Sequence, residues 1–439
     1  MKNAIGVSLW IMLALSAMAQ QVPQKLTLRQ ALELAEKRSP DVELAALRTV
    51  EADAQRLVAV SGYQPQLGIT VGNTYQTSNL QGLGVILPGA PSRVGPYRVF
   101  NGRPQLTAPV FDLSLLSTIH AARERVAESR YDAETVRQTT LLAVLELSLN
   151  LFQAESRLAA ATARLHTAEA VEQQAQQAAA AGTASQLDLE RTRQQFFAEQ
   201  AAVTQATRDR GVVKAMLRRT IGLESDAAFE IEAPELLDFA ERGMPFDNIQ
   251  HGAAEVRSEL SALQARIRAA ELDRQSAQRE RLPKLGFSGD YGVVGAGPDQ
   301  SLSTYTVGAS LTIPVFTGGR IRAKVQEAQA KLSQAEAELR KTRLAVAEEV
   351  QQAAIESDAA HEALGAASNA TQAARHALEL SRLRFQAGIT SSVDVATAED
   401  ALAQAEDFEI RTRYDWYAAE ARLARAEGNV YWFFERGRR

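Results

Sequence analysis

The sequence predicts a mainly α-helical protein with a smaller β portion, and three observations lead to this fold class. Apolar and small residues recur at alternating steps of four and three along two very long stretches, which is the spacing of packed helices. Four shorter stretches alternate apolar and polar residues with the period of a β-strand. Short motifs of the first half recur in the same order in the second half, which indicates a duplicated unit of about 200 residues.

The duplication sets the predicted domain boundaries. LTAPVF (106–111) recurs as LTIPVF (311–316), and AGTASQLDL (181–189) recurs as AGITSSVDV (387–395). After a signal peptide at 1–19, a first repeat covers 20–225, a linker covers 226–247 and a second repeat covers 248–436. In order, the first repeat is predicted to hold a helix that begins with a capping box of Thr27 and Gln30, strands at about 63–77 and 97–111, a long helix at 113–180 and a helix at 185–222. The second is predicted to hold a helix from near Asp247 to about Arg281, strands at about 283–294 and 303–316, a long helix at 320–386 and a helix at 391–435.

The N-terminus predicts export from the cytoplasm. Lys2 is followed by an apolar run and by small residues that end at Ala19, which is typical of a cleaved signal peptide. A retained membrane anchor is the alternative, although the run is short for a membrane span. The chain contains no cysteine, so we expect neither disulfides nor a lipid-modified N-terminal cysteine. No later segment has 18 consecutive apolar residues, so any other membrane crossing would use strands.

Composition argues against several classes of function. The net charge is −5, which gives a nucleic-acid partner no support. The five histidines are scattered and none has a second histidine four residues away, so no metal site is expected. The glycine-rich segment 292–297 leads into a proline and a strand rather than a helix, unlike a dinucleotide-binding loop. We therefore predict no catalytic residues and no cofactor.

The long helices carry a narrow seam of apolar and small residues. In the second half the seam is Ile321, Val325, Ala328, Leu332, Ala335, Leu339, Thr342 and Val346, and a matching series begins at Leu115 in the first half. Small seam residues let helices approach closely. At about 1.5 Å per residue each helix is on the order of 100 Å long. Helices of this length must lie against one another in an elongated body.

The strands have one apolar face and one face of small polar residues. In the last strand Tyr305, Val307 and Leu311 point one way and the threonines and serines between them point the other way. This pattern fits a membrane barrel with a wet lumen and a soluble sandwich about equally well. Pro104 is expected to interrupt the strand at 97–111. Four strands cannot close a barrel, so several chains would have to share one if the strands span a membrane.

Each half contains one helix break with the same chemistry. Gly182 and Gly388 stand three residues before Ser185 and Ser391, and these serines are followed by Asp188 and Asp394 at capping-box spacing. A glycine past a helix end and a serine at the next helix start predict a tight turn between two helices. Each break is therefore predicted to be the tip of a helical hairpin, with Ser185, Asp188, Ser391 and Asp394 as helix caps. Capping alone is a sufficient role for these residues, and duplication alone could preserve them.

The order of these features resembles the TolC-like outer membrane efflux protein family, also called outer membrane factors. The resemblance rests on LTLRQALELAEKRSPDV near the N-terminus, on the Pro-Leu and Pro-Val-Phe strand motifs, and on the paired Gly-x-x-Ser-x-(Leu/Val)-Asp-(Leu/Val) tips. It extends over about residues 25–435. It implies a homotrimer in which four strands per chain form a shared 12-stranded barrel in the outer-membrane lipid. Long antiparallel hairpins would form a periplasmic tube, with the segment around 223–247 as a belt.

The resemblance also implies a function. Members act as passive exit ducts of tripartite efflux or type I secretion systems, and they work with a periplasmic adaptor protein and an inner-membrane pump. The expected location is the outer membrane of a Gram-negative-type bacterium, with a large periplasmic part. The alternative is a periplasmic coiled-coil scaffold or adaptor without a transmembrane barrel.

The resemblance assigns roles to residues at the tips. The adaptor-docking positions would be Ala181, Gly182, Thr183, Ala387, Gly388 and Ile389. Glycine is kept there, while the residues beside it differ from the Val-Gly-Leu-like signature of the family. The entrance of the tube would be set by Asp394, Phe385 and Thr390, and Thr397 replaces a second carboxylate. A ring of Asp394 from three chains would favour cations. Phe385 and Thr390 replace the Tyr and Arg of the family's lock, so we expect a less tightly latched entrance.

Overall fold

The computed structural model describes residues 24–79, 82, 84, 91, 93–182, 185–224, 229–232, 256–387, 389 and 392–436. The predicted signal peptide therefore lies outside the described residues. Helices and strands follow one another as β1 (Gln24–Leu26), α1 (Leu28–Arg38), α2 (Pro40–Ser61), β2 (Gln66–Asn79), β3 (Arg93–Phe111), α3 (Leu113–Ala180), α4 (Gln186–Ile221) and β4 (Phe229–Ile231). They continue as α5 (Ser258–Arg279), β5 (Lys284–Gly295), β6 (Ser301–Thr312), α6 (Arg320–Gln386), α7 (Ser392–Glu427) and α8 (Trp432–Arg436). No helix in the described part of the chain is long and apolar enough to cross a membrane.

The chain divides into two compact units. The first consists of residues 1–46, 133–258 and 343–439, and the second of 47–132 and 259–342. The two long helices, α3 and α6, contribute residues to both units. The duplication divides the sequence into an N-terminal and a C-terminal half. Each compact unit, by contrast, contains segments of both halves.

The long helices have the bounds that the heptad spacing indicated, and their seam residues are shielded from solvent. All eight seam residues of α6 are buried or half-buried, from Ile321 to Val346. The matching residues of α3, from Leu115 to Thr140, are also buried or half-buried. The predicted seam is therefore confirmed. The capping box predicted at Thr27 is also confirmed, because its side chain and that of Gln30 exchange hydrogen bonds with each other's backbone N–H.

Some ends of elements differ from the sequence prediction. The last long helix was expected to run to residue 435, but α7 ends at Glu427. Gly428 has a φ of +127°, which a helix does not accommodate, and the short helix α8 follows. The predicted linker at 226–247 contains the strand β4, which pairs in parallel with β1 through Phe229 and Gln24. The expected helix start near residue 247 lies outside the described residues.

The first unit has an apolar core made by both halves of the sequence. Leu32 of α1, Phe152 of α3, Ile221 of α4 and Phe433 of α8 are almost completely buried in one cluster. Burial of each such side chain contributes about 1.5–3 kcal/mol. The end of α4 is fixed at Gly222, where a Cβ would lie 2.0 Å from the carbonyl oxygen of Arg38. This close approach admits only glycine and joins the end of α4 to the end of α1.

Charged and polar side chains line one edge of this core. The hydroxyl of Tyr431 donates a hydrogen bond to the Glu36 carboxylate at 2.9 Å, and the Arg137 guanidinium donates to the same carboxylate. Burial, together with the hydrogen bond to Glu36, raises the pKa of Tyr431 well above its ordinary value. Tyr431 therefore stays protonated and remains a hydrogen-bond donor to Glu36 throughout the neutral pH range.

Arg257 holds the end of α7, and its loss is expected to destabilise the first unit. The side chain is only 4% exposed, and it donates to the carbonyl of Ala426 at 2.9 Å and to the carboxylate of Glu349 at 2.7 Å. Replacing Arg257 with Met keeps the apolar bulk but leaves the Ala426 carbonyl without this donor. We expect a loss of about 2 kcal/mol in stability, measured as a lower midpoint of thermal unfolding by circular dichroism.

Arg422→Met is the matched control for Arg257→Met. Arg422 also pairs with a carboxylate, Glu146 at 2.6 Å, but its side chain is 50% exposed. Exposed pairs contribute less than about 1 kcal/mol. Equal shifts in the unfolding midpoint of the two variants would contradict the role given to Arg257.

The second unit contains a four-stranded antiparallel sheet in the order β2-β3-β5-β6. Pro104 was expected to interrupt the strand at 97–111, which is β3, and the outcome is partial. β3 runs without a break to Phe111, and Pro104 lies opposite Ile69 of β2. On the other side of β3, Gly102 and Gln105 each pair with a residue of β5, and the two residues between them have no partner in β5. Proline has no N–H, so it removes one bond of the ladder and leaves the strand extended.

Candidate functional site

The first helical hairpin turns between α3 and α4. Gly182 has a φ of +73°, a left-handed conformation that glycine adopts without steric cost. Its backbone N–H donates to the carbonyl of Ala179 at 3.1 Å. A Cβ built at Gly182 would meet nothing within 4 Å, so this residue faces open space. Ala181 is exposed beside it, and Thr183 lies outside the described residues.

Ser185 caps the return helix of this hairpin. Its hydroxyl oxygen accepts a hydrogen bond from the backbone N–H of Asp188 at 3.1 Å. The same hydroxyl donates to the Asp188 carboxylate at 2.8 Å. In a full capping box the carboxylate accepts from the backbone N–H of the serine, whereas here it accepts from the hydroxyl. The negative charge of Asp188 also lies in the first turn of α4, where the helix dipole favours it.

The second hairpin turns between α6 and α7. The N–H of Ala387 donates to the carbonyl of Leu383 at 3.1 Å, and the N–H of Ile389 donates to the carbonyl of Arg384 at 2.9 Å. A bond that spans five residues at a helix end is typical of a Schellman motif. Ile389 is 67% exposed. Gly388, Thr390 and Ser391 lie outside the described residues, as does the side chain of Phe385.

Asp394 is exposed in the first turn of α7. Its position in the second hairpin matches that of Asp188 in the first. A carboxylate in the first turn of a helix is favoured by the helix dipole, and both aspartates have this position. Thr397 lies less than one turn further along α7.

Ion pairs hold each hairpin closed and align its two helices. In an antiparallel hairpin, the residue numbers of facing positions add up to nearly the same value along its length, and the pairs of each hairpin do so. In the first hairpin these pairs are Arg164–Glu199 at 3.2 Å and Arg193–Glu172 at 3.5 Å, and in the second they are Arg375–Glu406 at 3.3 Å and Arg382–Glu399 at 2.7 Å. The two hairpins also contact each other, because Arg157 of α3 pairs with Asp407 of α7 at 2.9 Å.

The register of the sheet assigns its residues to two faces. Residues directly opposite one another on paired strands share a face, and Leu67↔Leu106 and Tyr291↔Tyr305 are such pairs. One face, here called the apolar face, therefore carries Leu67, Ile69, Val71, Tyr75, Leu106, Phe287, Tyr291, Val293, Tyr305, Val307 and Leu311. The opposite, polar face carries Gly, Ser, Thr, Asn and Gln residues of the same strands. The alternation seen in the sequence is preserved in β2, β5 and β6, whereas β3 is less regular, because Arg98 lies opposite Tyr75 on the apolar face.

Most apolar-face residues of the edge strands are exposed. Ile69 is 75% exposed, Tyr305 75% and Val307 65%. Soluble monomers rarely expose a contiguous apolar patch of this kind. A soluble sandwich would bury one face against a second sheet, so the exposed apolar face favours a membrane barrel over a soluble sandwich.

The polar face carries one ion pair that the sequence did not reveal. Arg103 of β3 and Asp290 of β5 pair at 2.8 Å, and both side chains are less than a quarter exposed. Arg103 also donates to Asn101 at 2.7 Å. Both residues occupy polar positions of their strands, so alternation alone places them on the same face. Their pairing depends on the register between β3 and β5, which alternation does not determine.

Comparisons with known proteins agree on one family. The sequence profile described as "Outer membrane efflux protein" matches residues 31–223 and 251–429. The pyoverdine export outer membrane protein OpmQ of Pseudomonas putida is 25% identical over 91% of this chain and 85% of its own length. The alkaline protease secretion protein AprF of Pseudomonas aeruginosa is 23% identical over 72% of this chain and 67% of its own length.

Solved structures share the fold. The CmeC outer membrane channel of Campylobacter jejuni superposes with a TM-score of 0.79 at 18% identity, covering 91% of this chain and 85% of CmeC. The outer membrane protein VceC of Vibrio cholerae superposes with a TM-score of 0.78 at 19% identity, covering 92% of this chain and 96% of VceC. Fold and sequence together define a TolC-like outer-membrane channel protein. The chain belongs to the outer membrane efflux protein family, and it functions as an outer-membrane efflux or secretion duct.

Proposed function

We propose that three copies of this chain form one channel, with the sheet of each copy contributing to a shared 12-stranded barrel. The edges of the sheet support this proposal. Within the described residues β2 and β6 each pair on one side only, and unpaired edges are not tolerated in lipid. Successive strands are antiparallel, so β2 and β6 also run in opposite directions. The β6 of one copy can therefore continue the ladder with the β2 of the next.

The number of copies follows from the width of the lumen. Two copies would give eight strands, and barrels of about eight strands have interiors that side chains fill. Three copies give twelve strands, which leave room for a wet lumen lined by the polar face. The apolar face then contacts lipid. The exposed apolar face of the sheet is the observation that carries this proposal.

The duct is passive in this proposal. A periplasmic adaptor docks at the hairpin tips, at Ala181, Gly182, Thr183, Ala387, Gly388 and Ile389, and an inner-membrane pump loads the channel. The open space around Gly182 and the exposed side chain of Ile389 support docking at this end. One relative is named for pyoverdine export and another for alkaline protease secretion. Both a small molecule and a protein are thus possible cargoes, and the pump makes the choice.

The tips also form the entrance, where Asp394, Phe385 and Thr390 set its properties. Three Asp394 carboxylates at one opening would attract cations and repel anions. Asp394→Asn is therefore expected to lower the permeability ratio of cations over anions, measured from reversal potentials in a salt gradient across a planar bilayer. Asp188→Asn is the control, because it removes an equivalent cap carboxylate from the other hairpin. If Asp394→Asn leaves the ratio unchanged, Asp394 serves only as a cap.

Cell fractionation tests the proposal against its rival, a periplasmic coiled-coil scaffold without a barrel. We expect the protein in the outer-membrane fraction, as a species that migrates as a trimer on gels until it is heated. A soluble monomer in the periplasmic fraction would instead support the scaffold. The exposed apolar face of the sheet favours the channel, because a soluble scaffold would expose it to water.

A further inference from the structure

A basic and apolar surface lies where the strands of the second unit meet its helices. Val315 and Phe316, directly after β6, are 93% and 90% exposed. They are followed by a turn in which Gly318 and Gly319 have φ values of +58° and +83°, and α6 begins at Arg320. Two neighbouring apolar side chains with this exposure contribute almost nothing to the fold of the chain itself. Their exposure therefore indicates a partner outside the chain.

Basic residues are frequent in the segment of this apolar pair and in the segment next to it. Residues 278–284 and 313–324 carry six basic side chains and one carboxylate, Glu280, and the basic residues are Arg279, Arg281, Lys284, Arg320, Arg322 and Lys324. We call these six residues, with Val315 and Phe316, the basic collar. The two segments are neighbours in space, because Arg320 pairs with Glu280 at 2.8 Å. Lys284 also pairs with Thr312 across the sheet.

The positive charge of the collar is only partly neutralised. Glu280 is shared between Arg320 and Lys324, and Asp112 pairs with Lys284 at 2.8 Å. Arg322 is exposed and has no ion pair within the described residues. No acidic residue lies in the first turn of α6, although the dipole of a helix disfavours cations at this end. Glu280 gives Arg320 and Lys324 a partner within the fold, whereas the fold gives no such reason for Arg322.

The other repeat lacks the collar. The matching segments of the first repeat, 60–66 and 108–119, contain a single charged residue, Asp112. Its carboxylate accepts hydrogen bonds from the backbone N–H groups of Ser114 and Leu115 and so caps α3. The collar is thus a property of the second repeat, and the strand-to-helix connection does not require it.

We propose that the basic collar binds the phosphate headgroups of anionic phospholipids, with Val315 and Phe316 inserted among the acyl chains beneath them. This inference rests on the proposed membrane-spanning sheet, whose apolar face continues into the collar through Leu311 and Ile313, both exposed. Aromatic side chains at the rim of an apolar band and basic side chains just outside it are the arrangement that a lipid surface selects. The collar faces the leaflet nearest the helices of this unit. It would hold the sheet at a fixed depth.

Tryptophan quenching by brominated lipids tests this proposal in the full-length trimer. Phe316→Trp places a reporter in the collar, and Val307→Trp places one at the middle of the apolar face. Each is reconstituted into phosphatidylcholine bilayers that contain either brominated phosphatidylglycerol or brominated phosphatidylcholine at the same mole fraction. The tryptophan fluorescence of the wild-type protein is subtracted, because the chain contains three tryptophans of its own. Each basic residue near an anionic surface raises affinity by up to about fivefold. Glu280 partly neutralises two of the six basic residues, so we expect an effect below this maximum. Phe316→Trp should be quenched about threefold more by brominated phosphatidylglycerol than by brominated phosphatidylcholine.

Two triple variants decide the role of the charges. Combining Phe316→Trp with Arg320→Gln, Arg322→Gln and Lys324→Gln removes half of the basic residues and is expected to lower the quenching ratio from about three towards one. The matched control replaces three other exposed basic residues of α6, Arg340, Lys341 and Arg343, with Gln and keeps the ratio at about three. Raising the salt concentration should lower the ratio of the unmodified collar, because the attraction is electrostatic.

The outcomes that overturn the proposal are distinct. Equal quenching of Phe316→Trp by both lipids means that the collar has no preference for anionic headgroups. Quenching of Val307→Trp but not of Phe316→Trp by either lipid means that another protein surface, such as a second copy, covers the collar. If Val307→Trp is quenched by neither lipid, the membrane-spanning sheet itself is wrong, and the collar proposal fails with it.

Discussion

Replacing Gly182 or Gly388 with aspartate is expected to abolish adaptor-dependent export and to leave trimers intact in the outer membrane. At Gly182 the new Cβ would meet no neighbouring atom. Aspartate is among the residues that tolerate a left-handed backbone, at a cost of about 1–2 kcal/mol. The fold should therefore survive. A charge at the tip, close to the carboxylate of Asp188, would disrupt a docking surface that depends on small residues.

Gly211→Asp is the matched control for the tip variants. Gly211 is exposed within α4, and a Cβ there would also meet nothing within 4 Å. The same change of charge is thus made on the same hairpin, away from the tip. Export is measured as release of the native cargo into the medium, and trimer content by gel migration without heating. Normal export by the tip variants would refute docking at these glycines, and loss of export by Gly211→Asp would show a general effect of charge.

Val307→Arg is expected to remove the trimer from the outer membrane. Val307 lies near the middle of β6 on the apolar face and is 65% exposed. An arginine facing lipid near the middle of the bilayer costs about 2–4 kcal/mol, and a trimer contains three of them. Because this cost is repeated in each copy, it exceeds what a marginally stable assembly withstands. The measurement is the amount of heat-modifiable trimer in outer-membrane fractions.

Gly308→Arg tests the assignment of the two faces. Gly308 is the next residue of β6, points to the polar face, and would have no atom within 4 Å of an added Cβ. If the polar face lines a wet lumen, this variant assembles and alters only conduction. Loss of trimers in Gly308→Arg together with normal trimers in Val307→Arg would reverse the assignment. Equal behaviour of the two variants would argue against a lipid-facing sheet.

Much of the fold could be predicted because its signals are local and periodic. The seams of α3 and α6 depend on spacing along a single helix, and residues such as Leu332 and Leu339 are buried as that spacing requires. The apolar and polar faces of the sheet follow from the two-residue period of a strand. The helix cap at Thr27 follows from side-chain hydrogen bonds over three residues.

The features that sequence reasoning missed depend on contacts between distant residues. The pairing of β1 with β4 joins strands of three residues each, which are too short to show a period. The ion pair of Arg103 with Asp290 requires the register between two strands. The buried position of Arg257 depends on contacts with α6 and α7. At the candidate site, the spacing of Ser185 and Asp188 predicted the helix cap that the structure shows. The roles of Gly388, Thr390 and Ser391 remain predictions from the sequence.

Conductance of the purified protein in planar lipid bilayers tests the central claim most directly. If three chains enclose a continuous wet lumen, insertion should produce discrete, uniform steps of ionic current that scale with the number of inserted trimers. Val307→Arg should give no steps, because it does not insert. A detergent-solubilised protein that remains a monomer and never produces current steps would contradict the channel.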